Sequence, residues 1–176
     1  FGFASHTPAI CQKLIDTGLV DIFMLSINAA YDLKPRCSSL ALDAQRMNLY
    51  RECQRRGIAI TVMKPYGGGQ LLDQRTSPFG QAMTIPQCLQ YALDRPGVLS
   101  CLCGVRSVAD LKETLRYYDS TPEQRDYSFL GSLPNKGLEG ICIYCNHCQP
   151  CPAGIDVGLV NKYYDLARMG DSLAAD

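Results

Sequence analysis

The fold turns on Val20-Asp21-Ile22-Phe23-Met24-Leu25-Ser26-Ile27-Asn28. Its nearly continuous apolarity, with hardly any polar alternation, predicts a strand buried on both faces, as in a parallel sheet. Upstream, residues 1–4 read as another strand. Thr7-Pro8 then offers an N-cap with proline at the first helical position, opening a helix with Ile10 and Leu14 on one face that stops at Gly18. Downstream, a loop around Pro35 leads to a helix over 43–56, ended by Gly57. A strand over 58–63 comes next, then Gly67-Gly68-Gly69. Thr84 caps a helix through Leu89 and Leu93 that Pro96-Gly97 closes, and residues 98–103 form a further strand. Ser107 caps a helix with Val108, Leu111, Leu115 and Tyr118 at helical spacing. Four strand–helix units in succession predict a parallel α/β protein.

Beyond Tyr118 the alternation stops. Residues 1–120 therefore read as one α/β unit and 121–140 as a linker with a short helix after Pro122. Residues 141–176 read as a compact cysteine segment with a terminal helix from about Val157, carrying Val160, Tyr164 and Ala167 on one face.

Composition narrows the function classes. Hydrophobic residues make up 47% of the 176, which fits a globular chain with a core. Seventeen Lys and Arg balance seventeen Asp and Glu, so the footprint of a general nucleic-acid binder is missing. No apolar run approaches the roughly 18–20 residues that span a bilayer, and no leader pattern opens the chain. Phe1 stands inside an apolar run, so the sequence reads as a piece of a longer chain. Six of the ten cysteines are scattered, at 11, 37, 53, 88, 101 and 103. They read as buried reduced thiols of a cytoplasmic protein rather than a disulfide framework.

The other four are Cys142, Cys145, Cys148 and Cys151, each separated by two residues and followed by Pro152. Four thiolates so spaced can wrap one side of a cube, which points to a [4Fe–4S] cluster. Zinc is the alternative, although structural zinc more often takes two cysteine pairs across a longer loop. His147 reads as a neighbour of the cluster, since four thiolates complete the set.

In a parallel barrel, functional groups gather where strands end. The candidates at those ends are Ser5 and His6; Asn28; Met63, Lys64 and Pro65 with the three glycines; and Gly104, Arg106 and Ser107. Singly, each has a plain structural reading as a cap, a turn or a solvated charge. Together they offer small polar and basic groups suited to an anionic cofactor, the last at a Ser-capped helix N-terminus.

The order Gly2-Phe-Ala-Ser5-His6, Asp21 to Asn28, Lys64-Pro65-Tyr-Gly-Gly-Gly-Gln-Leu71 and Gly104-Val-Arg-Ser107 resembles the second half of an aldo/keto reductase. The cysteine run resembles the C-terminal [4Fe–4S] extension of that family's iron–sulfur branch. The resemblance implies the last four units of a (β/α)8 TIM barrel, followed by a small cluster-binding segment. It implies NADP(H) or NAD(H), with Ser5, His6 and Asn28 at the nicotinamide carboxamide. Met63, Lys64, Pro65 and Gly67 would lie along the nicotinamide and pyrophosphate, and Gly104, Arg106 and Ser107 at the 2′-phosphate turn. Met63 stands where many members have an aromatic residue, and Glu113-Thr114 where an acidic residue and Asn are common. The family's Asp, Tyr, Lys and His tetrad belongs to the first four strands, so no catalytic residue is assigned here.

The implied activity is carbonyl/alcohol interconversion. Its partners would be a small carbonyl or alcohol substrate, the first half of the barrel and a redox partner for the cluster, with no role for nucleic acid or membrane. The alternative is a non-catalytic iron–sulfur electron-transfer or interaction module on a half-barrel scaffold.

Overall fold

A computed structural model describes residues 1–36, 39–133 and 148–168. In chain order the elements begin β1 (Gly2–Ser5), α1 (Pro8–Asp16), β2 (Ile22–Ser26) and α2 (Ala29–Asp32). A hairpin of β3 (Leu33–Arg36) and β4 (Ser39–Leu42) precedes α3 (Ala44–Arg55) and β5 (Ala59–Met63). A 3-10 segment (Gly67–Leu72) leads to α4 (Ile85–Leu93), β6 (Val98–Leu102) and α5 (Val108–Leu115). Two short helices, α6 (Pro122–Arg125) and α7 (Phe129–Ser132), and then α8 (Val157–Arg168) complete the described chain.

The strands β1, β2, β5 and β6 form one sheet in that order, every pair parallel. Phe23 stands beside Ile60 and Leu25 beside Val62. These four are buried and pack with Cys11 and Ile15 of α1 and Met47, Tyr50 and Cys53 of α3. The register also aligns Ile22, Met24 and Ser26 with Ala59, Thr61 and Met63 on the opposite face. A slip between Ile60 and Thr61 brings Ser100 and Leu102 onto that face, where the Thr61 and Ser100 hydroxyls meet at 3.1 Å.

Except at Ser26, which is buried at the strand end, that second face stays open among the described residues. Ile22 is 41% exposed and Leu102 51%, while Met24, Thr61 and Met63 are only half-buried. The apolar run at 20–28 therefore does not mean burial on both faces: α1 and α3 cover one side of β2, and no described element covers the other.

Local signals act much as their chemistry dictates. Asp43, Thr84, Ser107 and Thr121 each accept a backbone N–H into the first turn of their helix, and Thr84 and Thr121 complete capping boxes with Gln87 and Gln124. Thr7 makes no side-chain cap; instead its amide donates to Ser5 Oγ at 3.1 Å. Pro35 lies not in a loop but in β3, opposite Leu40. A two-stranded ribbon is all edge, and an edge tolerates a missing N–H donor. In the expected linker, α6 is the short helix read after Pro122; α7 follows it, and residues 121–133 bury Tyr127 and Leu130 in a second core with Tyr91 and Leu89 of α4. The remainder of that segment, 134–140, lies outside the described residues.

Three helical faces differ from expectation. In α1 the buried residues are Cys11 and Ile15, while Ile10 is 49% exposed. In α5, Val108, Leu111 and Leu115 are all exposed, as is Tyr118 beyond it. In α8, Val160 and Tyr164 are exposed. Periodicity identified the helices, but which stripe is covered depends on neighbours that sequence spacing does not specify.

Between the two cores lies a buried polar network. The Asp32 carboxylate is fully buried and accepts from Arg46 Nε at 2.8 Å, Tyr50 OH at 2.8 Å and Tyr91 OH at 3.1 Å. Burial, and then the Asp32 charge, push both phenols well above the ordinary tyrosine range, so they donate as neutral groups. Arg46 also donates from Nη2 to the carbonyl of Ser26, tying α2, α3 and α4 to the end of β2.

Asp32→Asn keeps the shape but leaves Arg46 buried without its counter-charge, and urea denaturation should show a loss of about 3–5 kcal/mol. A change below about 1 kcal/mol would mean that the network is not a structural anchor. The edges of β1 and β6 and the exposed α5 stripe should make the 176-residue chain self-associate in sedimentation velocity, with Leu111→Glu/Leu115→Glu reducing it. A monodisperse monomer at micromolar concentration would contradict this.

Candidate functional site

Because all four strands of the sheet are parallel, β1, β2, β5 and β6 send their C-terminal ends to one rim. Four short segments, one beyond each strand, build that rim.

After β1, Ser5 is half-buried and His6 exposed. The His6 ring is held by a 2.7 Å hydrogen bond between Nδ1 and Oγ of Ser26, itself buried at the end of β2. Ser5, His6, Ser26 and Arg46 line one small hollow.

After β2, Asn28 is fully buried. Its Oδ1 accepts from Tyr31 N at 3.0 Å, capping α2, and its Nδ2 donates to the Lys64 carbonyl at 3.0 Å. Asn28 thus braces the rim from within.

After β5 the backbone turns sharply. Lys64 has φ of 56°, and among the described residues it is the one non-glycine residue with positive φ. Such a position costs on the order of 1–3 kcal/mol, and standing before a proline restricts it further. Its carbonyl also accepts from Gly67 N at 2.9 Å. Gly67, Gly68 and Gly69 come next, with φ of 60°, 71° and 94°. A Cβ on Gly68 or Gly69 would meet nothing within 4 Å, so conformation rather than space calls for glycine there.

After β6, Ser107 Oγ accepts from Asp110 N at 3.1 Å, and Asp110 Oδ2 accepts from Arg106 N at 2.9 Å. The Arg106 amide, then the Ser107 hydroxyl, hold the Asp110 carboxyl below its ordinary range. The N-terminus of α5 therefore carries an internal anion. The Ser-x-x-Asp spacing at 107–110 signals this in the sequence as a capping pattern.

A cleft of about 740 Å³ opens between the ends of β5 and β6. Lys64 and Pro65 after β5, Gly104 and Arg106 after β6, and Asp110 and Glu113 of α5 line it. Of the residues singled out in the sequence, the structure brings Lys64, Pro65, Gly68, Gly69, Gly104 and Arg106 to one cavity, with Gly67 and Ser107 beside them in the chain. Ser5, His6, Asn28 and Met63 do not line it. Sequence reasoning missed Ser26 and Tyr66; the Tyr66 hydroxyl meets Thr114 Oγ1 at 3.2 Å across the cleft. Both contacts join residues 20 or more apart, which no local pattern announces.

The cysteines divide similarly. Burial pushes the thiols of Cys53, Cys88 and Cys101 up to about 12, and that of Cys11 upward, so all four are held in the thiol form; Cys11, Cys53 and Cys88 are buried and Cys101 half-buried. Cys37 lies outside the described residues, as do Cys142, Cys145 and His147. Cys148 is exposed and Cys151 half-buried, and neither is in a disulfide. A tight turn lies just beyond them: Gly154 N donates to the Cys151 carbonyl at 2.9 Å, and Gln149 Oε1 accepts from Cys151 N at 2.9 Å. Among the described residues no three His, Cys, Asp or Glu side chains converge as a metal site. Nor is any described helix long and apolar enough to cross a membrane.

No protein-family model matches this chain, and a search of curated proteins finds no match either.

Proposed function

We propose that the chain forms the last four units of a (β/α)8 barrel of aldo/keto reductase type, holding a nicotinamide cofactor at its rim and a [4Fe–4S] cluster in its C-terminal segment. The protein would serve carbonyl/alcohol interconversion, with the tetrad and the substrate pocket completed by the first four units. Among the described residues the sheet has an open face and two unpaired edges, as such a half-barrel would present. The observation behind this reading is the convergence of Lys64, Gly104 and Arg106 on one cleft at the ends of neighbouring parallel strands. Two cations and a backbone free of side chain suit phosphate groups. The protein would reside in the cytoplasm, in keeping with its buried free cysteines.

Bound there, the cofactor supplies hydride. This chain's residues would bind and orient it: Lys64 and Arg106 would hold its phosphates, and His6, fixed by Ser26, stands at the far end of the rim. Arg106 is exposed, and Asp110 and Glu113 share its cleft, so its contribution sits at the low end of a charge-assisted contact. In paired fluorescence titrations NADPH should bind more tightly than NADH, and Arg106→Ala should weaken NADPH by roughly tenfold while sparing NADH. Equal affinity for both cofactors, unmoved by the substitution, would remove Arg106 from the site.

For the cluster, Cys148 and Cys151 are thiols two residues apart, one exposed and one half-buried, on a segment bent by the turn at Gly154. That donor chemistry fits half of a cysteine-held cluster, with Cys142 and Cys145 supplying the rest. The cluster would carry single electrons to a partner or staple the segment to the barrel. Anaerobically purified protein should hold about four irons per chain and absorb broadly near about 400 nm. Stoichiometric zinc without iron would overturn the assignment. Iron without any nicotinamide binding would favour the non-catalytic module.

A further inference from the structure

We propose that Asn28 is a positioning residue for an anion bound by Lys64, acting by fixing the Lys64 backbone and not by touching the ligand. This deepens the reading of the cleft as an anion site and rests on it.

Asn28 is wholly buried and does not line the cleft. Both ends of its amide are engaged: Oδ1 accepts from Tyr31 N at 3.0 Å, and Nδ2 donates to the Lys64 carbonyl at 3.0 Å, 36 residues along the chain. Lys64 is where the backbone is strained, with φ of 56° and Pro65 next. Its carbonyl is held from two sides, by Asn28 on the strand side and by Gly67 N, at 2.9 Å, on the loop side. A lysine free to relax would leave the left-handed region, and the residue would lose its present place in the lining of the cleft it shares with Arg106. The brace needs an acceptor and a donor on one short side chain. Asparagine supplies both; aspartate supplies the cap but no donor for a carbonyl.

Asn28→Asp in the full chain keeps the α2 cap but sets a buried carboxylate against the Lys64 carbonyl in place of the donor. It is read beside Asn28→Ser, which keeps a neutral cap and gives up the amide donor, and both must show the loss. Binding of NADPH, and of inorganic pyrophosphate as a bare polyanion, should weaken by roughly three- to tenfold. The salt dependence of binding should flatten, as it would on losing the lysine contact itself. In a Lys64→Ala background either substitution should have no further effect, because its target is already gone. Wild-type affinity in Asn28→Asp or Asn28→Ser would overturn the proposal, as would an equal loss with and without Lys64. A chain that binds neither probe overturns it together with the anion-site reading. Binding of pyrophosphate but not NADPH, with the coupling present, would leave the proposal standing and remove the nicotinamide assignment.

Discussion

The in-register parallel pairing of β2 with β5 is the constraint that organises the whole molecule. It puts Phe23, Leu25, Ile60 and Val62 on one face, where α1 and α3 bury them, and it brings Asn28 within reach of Lys64. A shift of one residue would turn every core side chain of β2 to the open face. It would also separate the two strand ends whose loops meet at the rim. One register thus sets both the core and the site.

The rim combines rigidity below with charge above. Beneath it, Asp32 gathers Arg46, Tyr50 and Tyr91, and Arg46 in turn holds the carbonyl of Ser26, whose hydroxyl meets His6. Above it, Lys64 and Arg106 face a cleft that also contains Asp110 and Glu113. A cleft with balanced charge selects by the placement of its groups, since no strong net field draws in every anion. Among the described residues, Lys64 is the one place where a residue other than glycine takes a positive φ, and it falls at the cleft wall. Strain of that kind is retained where the surrounding structure overdetermines it, and here two hydrogen bonds do so.

Much of this was legible in the sequence because its causes are local. Thr84, Ser107 and Asp43 announce helix starts by short-range capping, and β-branched runs bounded by glycine announce the strands. The three glycines marked a turn that needs positive φ. What escaped was set by distant contacts. The buried stripe of α1 runs through Cys11 and Ile15 instead of Ile10 because β2 and α3 lie on that side. Pro35 suggested a loop, yet it occupies a strand that pairs, among the described residues, with β4 alone. The links from Ser26 to His6 and from Asn28 to Lys64 join separate strand ends, so spacing could nominate the members but not their pairing. The cysteine run was the sharpest motif in the sequence, and Cys142 and Cys145 lie outside the described residues.

If the ends of β5 and β6 form one ligand-binding rim, a ligand should protect both at once. Hydrogen–deuterium exchange on the full chain, with and without NADP⁺, reads this without any substitution. Added protection should concentrate in two segments distant in sequence, 64–69 and 104–110, with the amides of the exposed α8 face unchanged. Protection absent from both segments, or confined to the cysteine segment and α8, would contradict a rim shared by β5 and β6.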